Sequence, residues 1–338
     1  MTTILVYGWF GRGNTGDELM SEVLCSTFIS RGITLKFVDH VSAHELLASD
    51  GLIFGGGSIL LDRPSIDGDA LNMLQKNFRP TFYVGVGLET SINDVHQSLM
   101  AIARVVITRS PSPWPSCCPP QTYGMPDLVY ALAQLDTPSP ASKGLLVIPN
   151  VEVVPRHFDP HWKHVSWESF KNEFSQFLDD VLTTTTMNHT FLLMCKNDTM
   201  DDSWAASEII ARMRKRSTKF EVLRAPTDSL PLMNIIKDHS VVITQRYHGI
   251  VLAQMAGVPH VSIDHHDKLK FAYPKVGMSV PYHGFSKALI SDAHNTASVS
   301  AREQVRVDKH LYDNLIDAIT QIVTQERTAR DEQTRGSP

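Results

Sequence analysis

Short, largely apolar runs recur along the first part of the chain, at Thr3 to Tyr7, Leu35 to Val38, Gly51 to Phe54, Thr81 to Val86 and Val105 to Thr108. Amphipathic stretches separate them. Runs without polar alternation suit strands buried on both faces, and strands alternating with helices imply a parallel sheet covered on each side. Prolines then crowd Ser110 to Pro126 and return at Pro138 and Pro140. Because proline lacks an amide hydrogen and fixes φ, this stretch predicts a long loop followed by a domain boundary near residue 142.

The alternation restarts beyond that point, with apolar runs at Leu145 to Ile148, Phe191 to Cys195, Phe220 to Leu223, Val241 to Thr244 and His260 to Ile263. Helical patterns intervene at about 167–182, 202–216, 229–238 and 247–256. The chain therefore reads as an α/β protein of two Rossmann-like domains facing a cleft, a GT-B-like architecture, with domains at 1–141 and 142–300. In the following segment, 301–327, Leu311, Leu315, Ile319, Ile322 and Val323 recur at helical spacing over 308–326. This helix is expected to pack its apolar stripe back on the first domain, and the polar tail 328–338 to be flexible.

Length agrees with that division, since 338 residues exceed the size at which one hydrophobic core usually stops growing. With 42% hydrophobic and 20% charged residues, the composition excludes wholesale disorder. A formal net charge of −5 and scattered basic residues argue against nucleic acid as a partner. No window approaches the roughly 20 apolar residues of a transmembrane segment, and the start shows neither a charged n-region nor a long apolar h-region, so no signal peptide is expected. Cys25, Cys117, Cys118 and Cys195 show no C-x-x-C spacing, so the expectation is a reduced, cytoplasmic protein.

Candidate chemistry lies in the loops that follow strands. The first reads Gly8-Trp9-Phe10-Gly11-Arg12-Gly13-Asn14-Thr15-Gly16-Asp17-Glu18 and opens a helix. Gly11-x-Gly13-x-x-Gly16 matches the dinucleotide fingerprint, and Asp39 ends the next strand, so an NAD-dependent enzyme is one reading. Against it, Asp17 and Glu18 would meet an incoming pyrophosphate with negative charge, which suits a neutral hydroxylic ligand better. As a purely structural turn, the same loop would use Asn14 and Asp17 as helix caps. A second loop, Phe54-Gly55-Gly56-Gly57-Ser58, lets backbone amides approach a ligand closely, or simply permits a tight turn.

In the second half, Val241-Val242-Ile243-Thr244-Gln245-Arg246-Tyr247-His248-Gly249 runs from a strand into a helix. Free amides and the positive dipole end of a helix start attract anions, and an arginine adds a planar fork suited to phosphate or carboxylate. The structural alternative is an Arg246 paired with an acidic side chain and a His248 that caps the helix.

Gly-Asn-x-Gly-Asp after the first strand, Phe-Gly-Gly-Gly after the third, Pro126-Asp127-Leu128 and Arg246-Tyr247-His248-Gly249 stand here in the order of the polysaccharide pyruvyl transferase family, which the chain resembles over roughly residues 4–275. The resemblance implies transfer of a pyruvyl group from phosphoenolpyruvate, a co-substrate rather than a cofactor, to a glycan or lipid-linked sugar. It implies donor binding by Arg246, Tyr247, Gly249 and Lys196 in the second domain, with His248 as catalytic acid. Lys196 replaces the family's usual arginine, which keeps the charge and loses the fork. The acceptor is implied to meet Gly13, Asn14, Gly16, Gly56 and Gly57, with Asp17 as a catalytic base. Lys196 and Arg246 are expected to follow neighbouring strands. Ser110 stands where the family commonly has an acid, which leaves acceptor identity open.

Two histidine groups, His157, His161 and His164, and His265 with His266, raise a metal reading. Pro160 interrupts the first group, and strand alternation points adjacent histidines apart, so no metal is expected. Rival readings are a GT-B glycosyltransferase with a nucleotide-sugar donor and a non-catalytic glycan-binding protein on the same scaffold.

Overall fold

The computed structural model describes residues 2–88, 91–110, 112–132, 141–150, 167–182, 187–197, 201–214, 220–263, 269, 278–280 and 300–336. The chain divides into two compact units. Unit one holds Met1–Gly11, Met20–Ala131 and Val307–Pro338, and unit two holds Arg12–Leu19 and Leu132–Arg306. The division thus falls at Ala131/Leu132 rather than near residue 142, and the glycine loop after the first strand counts with unit two.

Unit one is built on β1 (Thr2–Tyr7), β2 (Ile33–Val38), β3 (Gly51–Gly57), β4 (Thr81–Val86), β5 (Val105–Thr108) and β6 (Thr122–Gly124). They form a sheet in the order β2-β1-β3-β4-β5-β6, and every pairing is parallel. The connecting helices are α1 (Thr15–Ile29), α2 (Ala43–Leu47), α3 (Gly68–Gln75) and α4 (Asp94–Ala101). Their starts are set locally: Ser42 and Glu45 form a capping box, and Asp67 Oδ1 accepts the Ala70 N–H at 2.6 Å. One core joins Leu5, Leu52, Phe54, Tyr83 and Val106 of the sheet to Leu74 of α3 and Leu99 and Met100 of α4. The proline-rich stretch predicted as loop contains β6. Proline is tolerated beside an edge strand, and β6 lies at the edge, pairing only with β5 among the described strands.

Unit two repeats the plan with β7 (Lys143–Ile148), β8 (His189–Leu193), β9 (Phe220–Arg224), β10 (His239–Thr244), β11 (His260–Ile263) and β12 (Met278–Val280). Its helices are α5 (Trp167–Leu182), α6 (Asp202–Arg212), α7 (Ser229–Lys237) and α8 (Tyr247–Ala256). The sheet order is β12-β11-β10-β7-β8-β9, again with parallel pairings. The first strand of the unit is central, so chain order reverses between β7 and β10, and their carboxyl ends flank a topological switch point. The same order corrects one expectation. The strands preceding Lys196 and Arg246, β8 and β10, are not neighbours, because β7 lies between them.

Helix α9 (Ser300–Gly336) is longer than predicted and continues through most of the tail expected to be flexible. Within unit one it buries Tyr312, Leu315, Ile316, Ile319 and Val323, whereas Leu311 is 38% exposed. The stripe is therefore rotated from the predicted one toward Tyr312 and Ile316. Polar contacts line its flank: Asp317 accepts from Arg31 Nε at 2.5 Å, Glu326 from Arg104 at 2.9 Å, and Arg330 donates to Asp50 at 2.7 Å. Exposed and partly exposed pairs of this kind contribute little singly, so the apolar stripe holds the helix.

Two expectations follow. Ile319→Ala should lower unfolding stability by about 2–5 kcal/mol and Leu311→Ala by less than about 0.5 kcal/mol, read from urea midpoints. His96, on α4, is fully buried beside Phe54 and Tyr83, and burial lowers its pKa to about 4. The unfolded chain, with an imidazole near ~6.5, takes up this proton first. Its contribution is therefore complete above that value and lost as pH falls toward 4. A His96→Gln variant should show a shallower decline of urea midpoint across this window than the parent.

Candidate functional site

At the switch point of the second sheet, β10 ends at Thr244 and the chain turns through Gln245 and Arg246 into α8. The Thr244 hydroxyl shapes the turn, accepting the Arg246 N–H and donating to the Arg246 carbonyl, each at 3.0 Å. Gln245 ties β10 to β7: its N–H reaches Ile148 O at 3.0 Å, and its Oε1 accepts the Asn150 N–H at 3.2 Å. Tyr247, His248 and Gly249 then form the first turn of α8, and all three are buried. The Tyr247 and His248 rings meet edge to face, with centroids 5.4 Å apart and planes at 86°.

Arg246 is held by Asp202, a residue at the start of α6 that the sequence reading did not single out. Arg246 Nε donates to Asp202 Oδ2 at 2.8 Å, and Nη2 donates to Oδ1. The same Oδ2 accepts the amides of Met194 at 3.0 Å and Cys195 at 2.9 Å, where β8 gives way to its loop. The Asp202 side chain is fully buried and that of Arg246 is 10% exposed, so this pair is a charged anchor in a largely dry setting. Its side-on edge, Nε with Nη2, thus engages protein carboxylate. Asp201, one residue earlier, caps α6; hydrogen bonds from Ser203 hold its carboxyl below the usual aspartate range.

The glycine loop lies against this assembly. Lys196 N–H donates to Gly13 O and Thr15 N–H donates to Met194 O, both at 2.9 Å, and Asn14 and Cys195 form an antiparallel bridge. Asn14 Nδ2 donates to the buried Asp17 at 2.7 Å, and Asn14 Oδ1 accepts the Gly16 N–H at 3.3 Å. Helix-start amides that a dinucleotide pyrophosphate would use are thereby bonded to protein oxygens. The Lys196 side chain is exposed.

The structure therefore brings Gly13, Asn14, Gly16, Asp17, Lys196, Arg246, Tyr247, His248 and Gly249 into unit two. Gly56 and Gly57 stand apart, in unit one, at the end of β3, where Gly57 O accepts the Gly87 N–H at 3.1 Å. Nearby in unit one, Arg109 donates to the buried Asp127 at 3.4 Å and to Ser58 at 3.2 Å. This gives a structural role to the Asp127 of the Pro-Asp-Leu motif. Both histidine groups, His157, His161 and His164, and His265 and His266, lie outside the described residues. Among the described residues, no cluster of three or more metal-ligating side chains occurs, and no helix is long and apolar enough to cross a membrane.

The family model for polysaccharide pyruvyl transferase matches residues 14–267. The chain belongs to that family. The match takes in both the Asn14-to-Asp17 loop and the Arg246-Tyr247-His248-Gly249 junction of this pyruvyl transferase family member. No curated protein matches the sequence. Among solved structures, it is similar to the UDP-GlcNAc 2-epimerase from Neisseria meningitidis bound to UDP-GlcNAc, at 11% identity and a TM-score of 0.53, covering 97% of this chain and 100% of that one. A UDP-GlcNAc 2-epimerase from Methanocaldococcus jannaschii gives 10% and 0.53, over 92% and 99% of the two chains. A glycosyltransferase from Rickettsia africae gives 10% and 0.54, over 96% and 98%. At such identity these likenesses establish the GT-B-like α/β fold alone.

Asp202 was missed because a carboxylate at a helix start reads as an ordinary cap. The available signal was the doubled acid, Asp201-Asp202, of which only one is needed to cap α6. Asp202→Ala should destabilise unit two by about 3–5 kcal/mol, because it leaves a buried guanidinium and two amides without their acceptor. Urea unfolding of the variant measures this, and the Asp202→Ala/Arg246→Ala double variant should lose less than the sum of the single losses.

Proposed function

We propose that the protein transfers the pyruvyl group of phosphoenolpyruvate to two hydroxyls of a sugar in a glycan or lipid-linked acceptor, forming a cyclic ketal and releasing phosphate. The observation that carries this reading is the Arg246-Tyr247-His248-Gly249 junction. It stands at the switch point of a parallel sheet, on a helix start, within the stretch that matches the family.

The chemistry asks for a proton donor, an anion site and two acceptor oxygens. A proton is delivered to the methylene carbon of the enol phosphate, which becomes a methyl group. One sugar hydroxyl adds to the resulting cationic C2 and loses its proton. The bond from C2 to the phosphate oxygen then breaks, and a second hydroxyl of the same sugar closes the ketal and loses its proton in turn. His248 is assigned the first proton, since imidazole alone among side chains titrates near neutrality without perturbation. Arg246, oriented by Asp202, and Lys196 are assigned the carboxylate and phosphate of the donor, and through the phosphate they stabilise its departure. The α8 dipole favours the same anions. Asp17 is assigned to accept a hydroxyl proton, with Gly13, Asn14 and Gly16 beside it.

Thermal-shift titration provides the first test. Phosphoenolpyruvate should raise the unfolding midpoint, whereas stabilisation by a UDP- or GDP-sugar alone would assign the fold to glycosyl transfer. In a phosphate-release assay with a competent acceptor, His248→Gln should lower turnover by roughly 10²-fold while keeping most of the donor affinity. Arg246→Lys should mainly weaken donor binding, because an ammonium group cannot reproduce the planar fork. Near-parental phosphate release by His248→Gln would remove histidine from the proton step.

A further inference from the structure

The loop that follows β1 and the helix that carries His248 meet at one residue, Gly16. A Cβ built on Gly16 would overlap the His248 imidazole at Nδ1, Cγ and Cε1. The Gly16 backbone therefore lies directly against the ring, closer than any side-chain-bearing residue could. Gly16 has no left-handed φ that would call for glycine. It sits in the first turn of α1, where glycine ordinarily weakens a helix relative to alanine. Local backbone preference thus gives no reason for glycine here, and contact with His248 does.

The loop that presents Gly16 is itself fastened. Thr15 and Gly13 hydrogen-bond to Met194 and Lys196, each at 2.9 Å, and Asn14 bridges Cys195. Gly13 has a φ of +73°, and a Cβ there would overlap the Lys196 carbonyl, so the second anchor is also built around a missing side chain. These anchors join the loop to the end of β8, whose amides are gripped by Asp202, which in turn holds Arg246. His248, Lys196 and Arg246 are accordingly set by one connected scaffold inside unit two.

We propose that Gly16 is a positioning residue for His248: the bare backbone of the β1 loop sets the plane and location of the imidazole. The loop acts on the histidine as well as on the acceptor. The proposal rests on His248 as the proton donor only for its effect on turnover, since the packing relation itself needs no substrate.

A mutant cycle tests it on the full chain. Gly16→Ala should lower the unfolding midpoint by roughly 2–10 °C, the effect of overpacking a closed site. In a His248→Ala background, where the ring is gone, the same change should cost little or nothing. Turnover of Gly16→Ala with phosphoenolpyruvate should fall about 10- to 100-fold with the donor KM changed less than about threefold, the signature of a displaced catalytic group rather than a lost binding site. The imidazole NMR signals of His248 should shift in Gly16→Ala.

If Gly16→Ala folds only when His248 is also alanine, the coupling is established directly. Equal midpoint losses in both backgrounds, or failure to fold in both, would overturn the proposal, because the overlap would then not be with histidine. Coupling in the cycle without any turnover of phosphoenolpyruvate by the parent protein would instead sink the donor assignment and leave the positioning role standing.

Discussion

One carboxylate organises the second unit. Asp202 takes two amides from the end of β8 and two guanidinium donors from the residue before α8, and its own side chain is fully buried. A carboxylate so placed is expensive to bury and strongly held once satisfied, because its removal leaves a neighbouring charge stranded. Two strand ends separated by β7 are fixed to each other through it. The β1 loop then docks on the β8 exit, and His248 follows Arg246 by two residues. Remove this carboxylate and the register of every candidate side chain around α8 loses its reference.

The two sheets use different strand orders to the same end. In unit one the order turns at β1 and β3, and in unit two at β7 and β10. In open parallel sheets such turning points leave a crevice between helices that go to opposite faces. Glycine-rich or polar segments stand at both: Gly8 to Gly11 and the Gly55-Gly56-Gly57 end of β3 in one, Asn150 and the Gln245-to-Gly249 run in the other. Strand topology, more than any single motif, explains why the candidate residues gather at these strand ends.

The central strands of both sheets were legible because they are apolar along most of their length, as doubly covered strands must be, whereas β2 and β9 carry Lys36, Glu221 and Arg224 on partly exposed edges and β12 was not foreseen. β6 was not, since prolines flank it and only its edge position tolerates them. The stripe of α9 was rotated because Tyr312 and Ile316 bury more completely than Leu311, a choice made by the surface they meet rather than by spacing. His248, Arg246 and the glycine loop could be found as motifs, but two relations between them could not. Sequence spacing carries no information that Gly16 faces an imidazole more than two hundred positions away, nor which acid, Asp202, is the partner that the alternative reading of Arg246 called for.

The path of the chain has a consequence for how the protein can be made. Unit one joins β1 to the buried stripe of α9, which follows unit two in the chain, and unit two needs residues Arg12–Leu19, which precede most of unit one. Neither unit is a continuous segment. During synthesis, where domains otherwise fold in order as they emerge, the first sheet must wait for α9 before its apolar flank is covered. Cutting the chain near its midpoint would yield two pieces that each lack part of their own interior, so the molecule is divisible in space and indivisible in sequence.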